Sequence, residues 1–242
     1  MADVVLNVFR GDRNGGSEKA YSVPLITGMV VLDAIHYIQA HYDGDLACRW
    51  NCKAARCGSC SAEINGRPRL MCKTRLDEYG GEITVRPMKA FPVIKDLVTD
   101  VSHNYKVAQQ IPAFQPANGH GAFTLYQNDV NRAQEFRKCI ECFLCQNVCH
   151  VLRDHEGHEA YFGPRFMIKI AALEMHPMDT LSRTALLREK GGIGYCNITK
   201  CCEEICPEHI HITDNAIIPM KERVADDYWD PIRFVIRKLA GK

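Results

Sequence analysis

Residues 52–72 read CKAARCGSCSAEINGRPRLMC, and this stretch decides the fold of the first part of the chain. Three cysteines share a C-x4-C-x2-C loop, and a fourth follows after eleven residues. This spacing is typical of a plant-type [2Fe-2S] centre, in which four thiolates converge on one small anionic cluster. The sequence therefore predicts a [2Fe-2S] cluster held by Cys52, Cys57, Cys60 and Cys72. A zinc site or a group of buried thiols is the alternative interpretation.

A small α+β domain is predicted around this loop. Asn65-Gly66 favours a β-hairpin, because both positions tolerate positive φ, and the hairpin returns Cys72 to the loop. Apolar residues at helical spacing predict one helix over 29–41. Alternating apolar residues and β-forming residues predict three further strands, at 4–9, 20–26 and 83–87.

A second group of cysteines follows the spacing C-x2-C-x2-C-x3-C over residues 139–149. Bacterial ferredoxins use this run for two clusters, and its fourth cysteine ligates the other cluster. A third group over 196–207 reads C-x5-C-x3-C-P and lacks one thiolate, because Thr199 stands where the second ligand is expected. Each group therefore gives its last cysteine to the cluster of the other group. The sequence predicts one complete and one incomplete set of cysteine ligands.

The complete set suits a [4Fe-4S] cluster and consists of Cys139, Cys142, Cys145 and Cys206. The incomplete set suits a [3Fe-4S] cluster and consists of Cys149, Cys196 and Cys202. A [4Fe-4S] cluster with Cys201 as a rearranged fourth ligand is the alternative. With Cys201 unused, eleven of the 13 cysteines are ligands, and Cys48 and Cys201 are expected to be small buried side chains.

The second half of the chain has a helical pattern. Helices are predicted over 129–138, from Gly163-Pro164 to His176, and over about 180–190. A further helix is predicted after residue 213, where Pro219 should cause a kink or a delayed start. Residues 110–121 are rich in Pro and Gly and predict a surface loop. Since a long cysteine-free stretch separates the first cysteine group from the others, we expect two domains, at 1–100 and 101–242.

Composition argues against several classes of protein. The 242 residues carry a formal net charge of +1, whereas a nucleic-acid binder usually has a basic excess. No stretch approaches 18 consecutive apolar residues, so we expect no membrane span and any membrane role to run through a partner. The start MADVVLNVFR shows no secretory signal, and clustered thiols in a reducing compartment favour metal ligation over disulfides.

Taken together, the motifs resemble the iron–sulfur subunit of succinate dehydrogenase and fumarate reductase. The resemblance covers almost the whole chain and rests on the three cysteine groups in order, the internal CGSC of the first, FPVIKDLVTD at 91–100, and Gly163-Pro164. It implies an α+β fold with an N-terminal β-grasp plant-type ferredoxin domain and a C-terminal all-α bacterial-ferredoxin-like domain. It also implies electron transfer between FAD in a flavoprotein subunit and quinone at a membrane-anchor subunit, on the cytoplasmic face of the cell membrane. The substrate chemistry then belongs to the flavoprotein's cofactor, so no catalytic residue is expected in this chain.

Two departures from the ubiquinone-reducing members of that family concern the quinone side. Cys149 is followed by HVLRD, without the Pro and Trp of those members, and Cys196 is followed by Asn197 instead of His. The resemblance is then closer to members with a di-haem cytochrome b anchor and menaquinone. His150, Asn197 and Thr199 are expected near the three-iron cluster, either as quinone contacts and proton donors or as packing around the cluster.

Two other functions stay open from the sequence. One is an iron–sulfur electron-transfer subunit of another membrane dehydrogenase or of a thiol-dependent fumarate reductase, relatives that typically carry added cysteine-rich C-terminal modules. The 36 residues after Cys206 contain no cysteine, which disfavours this function. The other is a zinc-bound structural protein.

Overall fold

The computed structural model describes residues 3–116, 124–232 and 235–236. The chain divides into two compact units. The first unit comprises Met1–His103, Ile140–Val148 and Ile205–Pro207, and the second comprises Asn104–Cys139, Cys149–Glu204 and Glu208–Lys242. The first unit is therefore built from three separate segments of the chain. Residues 117–121 of the predicted 110–121 loop lie outside the described residues.

A mixed sheet of seven strands forms the framework of the first unit. The strands are β1 (Asp3–Asp12), β2 (Gly15–Pro24), β3 (Ser61–Ile64), β4 (Arg67–Leu70), β5 (Ile83–Arg86), β6 (Val93–Lys95) and β7 (Val98–Thr99). Their order across the sheet is β4-β3-β5-β1-β6-β7, and β2 also pairs with β1. β1 and β5 run parallel, whereas the other pairings are antiparallel.

β1 follows the predicted alternation, because Val4, Leu6 and Val8 are all buried in the core. Its partner β2 begins at Gly15, earlier than the predicted 20–26 strand. The first residues of β2, GGSEK, are exposed and pair with β1 through their backbones. They show no apolar alternation, which is the signal that sequence reasoning depends on.

Helix α1 (Val31–His41) confirms the predicted 29–41 helix. Leu32, Ile35 and Ile38 form its buried face and belong to the same apolar core as β1. Burial of each such side chain stabilises the fold by about 1.5–3 kcal/mol. The carboxylate of Asp33 accepts a hydrogen bond from the Val30 N–H at 3.3 Å and so satisfies one of the free donors at the helix start.

The other helices follow the sheet in the chain. They are α2 (Ser102–Gln110), α3 (Gln127–Gln134), α4 (Leu144–Val148), α5 (His150–Arg153), α6 (Pro164–Glu174), α7 (Thr184–Glu189), α8 (Cys201–Glu204) and α9 (Ile218–Trp229). Short 3₁₀ turns cover Leu76–Glu78, Glu135–Lys138 and Ile193–Tyr195, and a π-helical turn covers Ile212–Ile217. α4 belongs to the first unit, and α3 and α5–α9 belong to the second. In the described part of the chain, no helix has the length and apolar character needed to cross a membrane.

Several predicted helices of the second unit are confirmed. α6 begins at Pro164, where the missing N–H costs no hydrogen bond. The predicted 129–138 helix divides into α3 and a 3₁₀ turn. The predicted 180–190 helix is shorter, because residues before Thr184 form a loop. Pro219 lies in the first turn of α9, directly after the π-helical turn, and therefore does not break this helix.

A buried arginine holds a loop of the second unit in place. The Arg183 side chain is fully buried and pairs with Asp179 at 2.8 Å. Three further N–H groups donate to the carbonyls of Pro112, Ala113 and Leu181. A buried charge with this many partners is satisfied, whereas removal of one partner of such a pair costs about 3–5 kcal/mol.

Candidate iron–sulfur centres

Backbone N–H groups surround the sulfur atoms of the first cysteine group. The Cys52 sulfur accepts from the amides of Ala54 and Arg56, both at 3.3 Å. The Cys72 sulfur accepts from the Ala55 amide, also at 3.3 Å. Such a nest of amides stabilises negative charge on sulfur, so the donor set fits a thiolate-ligated anionic cluster.

The loop reaches this shape through unusual backbone angles. Lys53, Ala55 and Gly58 have φ values of 54°, 53° and 67°. Positive φ is costly for residues with a Cβ, and such strain clusters at functional sites. The alternation of left-handed residues turns successive amides towards the sulfurs, which explains why a short loop can supply three of the four thiols.

The thiols of this group differ in proton affinity. Burial alone raises the pKa of the Cys57 thiol, but hydrogen bonds from Ser59 and the Cys52 amide outweigh it and lower this pKa to about 6. Burial raises the pKa of the Cys60 thiol to about 12. The hydroxyl and amide donors thus favour the thiolate form of Cys57, whereas burial disfavours the thiolate form of Cys60.

The first cysteine loop lies directly against the second one. A Cβ built on Gly58 would lie 2.5 Å from the Cys142 Cα, so only glycine fits there. The Ser61 hydroxyl lies 2.9 Å from the Gly58 carbonyl oxygen and 2.8 Å from the Cys142 carbonyl oxygen. This hydroxyl links the two loops within the first unit. Sequence reasoning missed this contact of Ser61.

The second predicted set is distributed over both units. Cys142, Cys145 and Cys206 lie in the first unit, whereas Cys139 is the last residue of a segment of the second. Ile140 and Ile205, which neighbour Cys139 and Cys206, both pack against the apolar core of the first unit. Glu141 and Phe143 have positive φ values of 55° and 60° and shape this loop as Lys53 and Ala55 shape the first.

A buried amide fastens the second loop to the sheet. Asn147, in α4, donates from Nδ2 to the Glu63 carboxylate at 2.9 Å. Its Oδ1 accepts from the Ala90 N–H, also at 2.9 Å. Both side chains are buried, so the bond is shielded from water. α4, which also carries Cys145, is therefore held by polar as well as apolar contacts.

The third predicted set lies entirely within the second unit. Burial raises the pKa of Cys149 to about 11 and that of Cys202 to about 12, and in each case charge on Cys196 and Cys201 raises it further. Such mutual electrostatic effects require the thiols to lie close together. Burial also raises the pKa of Tyr161, and charge on Cys196, Cys149 and Cys202 adds to the shift. The phenol is hydrogen-bonded to the Cys196 thiol, and sequence reasoning missed it.

The two cysteines outside the predicted sets are half-buried rather than fully buried. The Cys201 sulfur lies 3.4 Å from the Thr199 hydroxyl, which is the position of the missing ligand. Asn197 and Thr199 are exposed, and His150 is half-buried at the start of α5. Ile198 and Lys200, between Cys196 and Cys202, have positive φ values of 63° and 61°, so this loop is strained as well.

Known protein families match both halves of the chain. Residues 5–106 match a family described as a 2Fe-2S iron-sulfur cluster binding domain, and residues 135–210 match a 4Fe-4S dicluster domain. The fumarate reductase iron-sulfur subunit of Haemophilus influenzae is 30% identical over 226 residues, which cover 86% of each chain. That of Mycobacterium tuberculosis is 32% identical and covers 79% of this chain and 80% of its own.

A solved structure agrees with these matches. A chain of the Mycobacterium smegmatis Sdh1 complex in the apo form is 60% identical, with a TM-score of 0.92 over 95% of this chain and 98% of that one. Fold and cysteine loops together define an electron-transfer protein with one plant-type and one bacterial-type ferredoxin domain. The chain belongs to the family of iron–sulfur subunits of succinate dehydrogenase and fumarate reductase. The family match confirms the predicted fold class and leaves the zinc-bound alternative without support.

Proposed function

We propose that this chain relays single electrons between FAD of a flavoprotein subunit and a quinone at a membrane anchor, in a complex that interconverts succinate and fumarate. The observation that carries the proposal is the grouping of the thiols, with a nest of amide donors around the first group. Iron–sulfur clusters supply one-electron carriers that can divide the two-electron chemistry of a flavin into single steps. The chain itself binds the clusters, shields them from water and tunes their potentials.

The proposed ligand sets are those predicted from spacing. The [2Fe-2S] set is Cys52, Cys57, Cys60 and Cys72; the [4Fe-4S] set is Cys139, Cys142, Cys145 and Cys206; the [3Fe-4S] set is Cys149, Cys196 and Cys202. The amide contacts support the first set, whereas the second and third sets rest on the cysteine spacing. The corresponding domains are proposed at 1–100 and 101–242.

Adjacent cysteines provide the sharpest test of the three-iron set. We expect Cys202→Ser to remove the low-temperature EPR signal of the oxidised three-iron cluster and to reduce succinate:quinone activity at least about tenfold. Cys201→Ser is the matched control, because it changes the neighbouring thiol and should leave both signal and activity intact. Loss of the signal in Cys201→Ser, or a fourth iron in the wild-type cluster, would show that the set is wrong. The iron and acid-labile sulfide contents of the whole complex test the proposed electron relay itself. About nine iron and ten sulfide atoms are expected per chain.

The direction of catalysis and the quinone side are finer parts of the proposal. We infer succinate oxidation because the structural relative comes from a complex named Sdh1. We also infer a cytoplasmic-face location, menaquinone as acceptor, and a di-haem cytochrome b anchor, on the basis of the departures at His150 and Asn197. His150, Asn197 and Thr199 are the proposed quinone-proximal residues, and the exposure of Asn197 and Thr199 supports this role. If the reduced-minus-oxidised spectrum of the complex shows no haem b band, the proposed anchor type is wrong. The rest of the proposal is unaffected by that result.

The alternative is a subunit of a thiol-dependent fumarate reductase or of another membrane dehydrogenase. One subunit of the fumarate reductase (CoM/CoB) of Methanothermobacter marburgensis is 31% identical, and this chain spans 39% of its length. The iron-sulfur subunits of H. influenzae and M. tuberculosis match over most of their own length, which favours the first proposal.

A further inference from the structure

A buried hydroxyl contacts one thiol of the third cysteine group. The Thr213 Oγ1 lies 3.6 Å from the Cys202 sulfur. Thr213 is 1% exposed and Cys202 is 6% exposed, so water does not compete for this contact. Both residues lie in the second unit.

The surrounding backbone keeps the hydroxyl in place. Thr213 is the second residue of the π-helical turn Ile212–Ile217, a rare backbone form that is often found at functional sites. The Glu203 carboxylate accepts hydrogen bonds from the N–H groups of Thr213 at 2.9 Å and Asp214 at 3.3 Å. Since Glu203 follows Cys202 directly in α8, this carboxylate ties the start of the turn to the helix that carries the thiol.

The direction of the hydrogen bond follows from the chemistry of the ligand. A thiol could donate to the hydroxyl, but a cysteine bound to iron is a thiolate and has no proton to give. The Thr213 O–H must therefore donate and the Cys202 sulfur accept. A donor stabilises a sulfur more as its negative charge grows, and the charge grows when one electron is added. No proton is transferred and no bond is made or broken.

We infer that the Thr213 hydroxyl is a tuning residue that raises the reduction potential of the cluster held by Cys149, Cys196 and Cys202. The inference rests on the proposed ligand set. It goes beyond that set, because the cysteine spacing gives no indication of a role for Thr213, which follows Cys202 by eleven positions. The hydroxyl would make this cluster easier to reduce, and so favour electron flow into it.

The test is a redox titration of the three-iron EPR signal in the purified complex. We expect Thr213→Val, which keeps the shape and removes the hydroxyl, to lower the equilibrium constant for one-electron reduction about tenfold, a shift of about 59 mV. Thr213→Ser retains the hydroxyl and should stay close to the wild type. Thr184→Val is the matched control, because Thr184 is also buried in the second unit but its hydroxyl contacts Ser182 at 3.1 Å rather than a thiol.

Each outcome decides the matter. Equal potentials in Thr213→Val and the wild type, or equal shifts in Thr213→Val and Thr213→Ser, overturn the inference. Iron content and spin count per complex show whether a variant carries an intact cluster. If Thr213→Val does not, Thr213→Ala is measured in its place. Loss of the cluster in both variants would show that the hydroxyl is needed to retain the cluster, and this result also overturns the inference. Absence of the signal from the wild-type complex contradicts the proposed ligand set instead, so the two failures are distinguishable.

Discussion

At the scale of single residues, Gly58 shows how closely two cysteine loops approach each other. Gly58 has a φ of 67° and no room for a side chain against Cys142. We expect Gly58→Ala to destabilise the protein by about 1–3 kcal/mol more than Gly66→Ala. Gly66 is the matched control, because its φ of 73° imposes similar backbone strain but nothing lies within 4 Å of its added Cβ. Thermal release of the [2Fe-2S] chromophore measures the difference, and equal shifts in the two variants would contradict a steric role for Gly58.

At the scale of secondary-structure elements, α4 depends on Asn147. Replacement of this buried amide by leucine removes two hydrogen bonds of 2.9 Å, one of them to the Glu63 carboxylate. We expect Asn147→Leu to destabilise the protein by about 3 kcal/mol and to weaken the EPR signal of the reduced [4Fe-4S] cluster, because α4 carries Cys145, a proposed ligand of that cluster. Asn131→Leu is the control, since Asn131 is exposed on α3 and should change stability by less than about 0.5 kcal/mol. Equal denaturant midpoints for the two variants would argue against the anchoring role of Asn147.

The elements also show what the sequence could and could not predict. The Asn65-Gly66 turn is confirmed, with φ values of 47° and 73°, because its requirement for positive φ is local. β6 and β7 were missed, since strands of three and two residues are too short for an alternation to show. The cysteine sets remain predictions from spacing. Ser61, Tyr161 and Thr213 were not found, because their contacts with Cys142, Cys196 and Cys202, respectively, form only in the folded chain.

At the scale of the whole molecule, the first unit is discontinuous in sequence. Leu144 is 1% exposed and belongs to the same core as β1 and α1, although more than a hundred residues separate it from them. We expect a fragment that ends at His103 to lose its [2Fe-2S] chromophore at a lower temperature than the full chain. Leu144→Ala in the full chain removes part of this packing and should cost about 2–5 kcal/mol. A fragment as heat-resistant as the full chain would show that residues 140–148 contribute nothing to this core.

The discontinuity sets an order of events during synthesis. A ribosome makes the strands of the first unit early, yet Ile205, which packs on the same core, emerges about a hundred residues later. Domains usually fold from the N-terminus as they leave the ribosome. Here part of the apolar surface of the nascent sheet stays uncovered until Ile205 has been translated. Cluster insertion into the first loop before that moment takes place on a scaffold that still lacks its last segment, Ile205–Pro207.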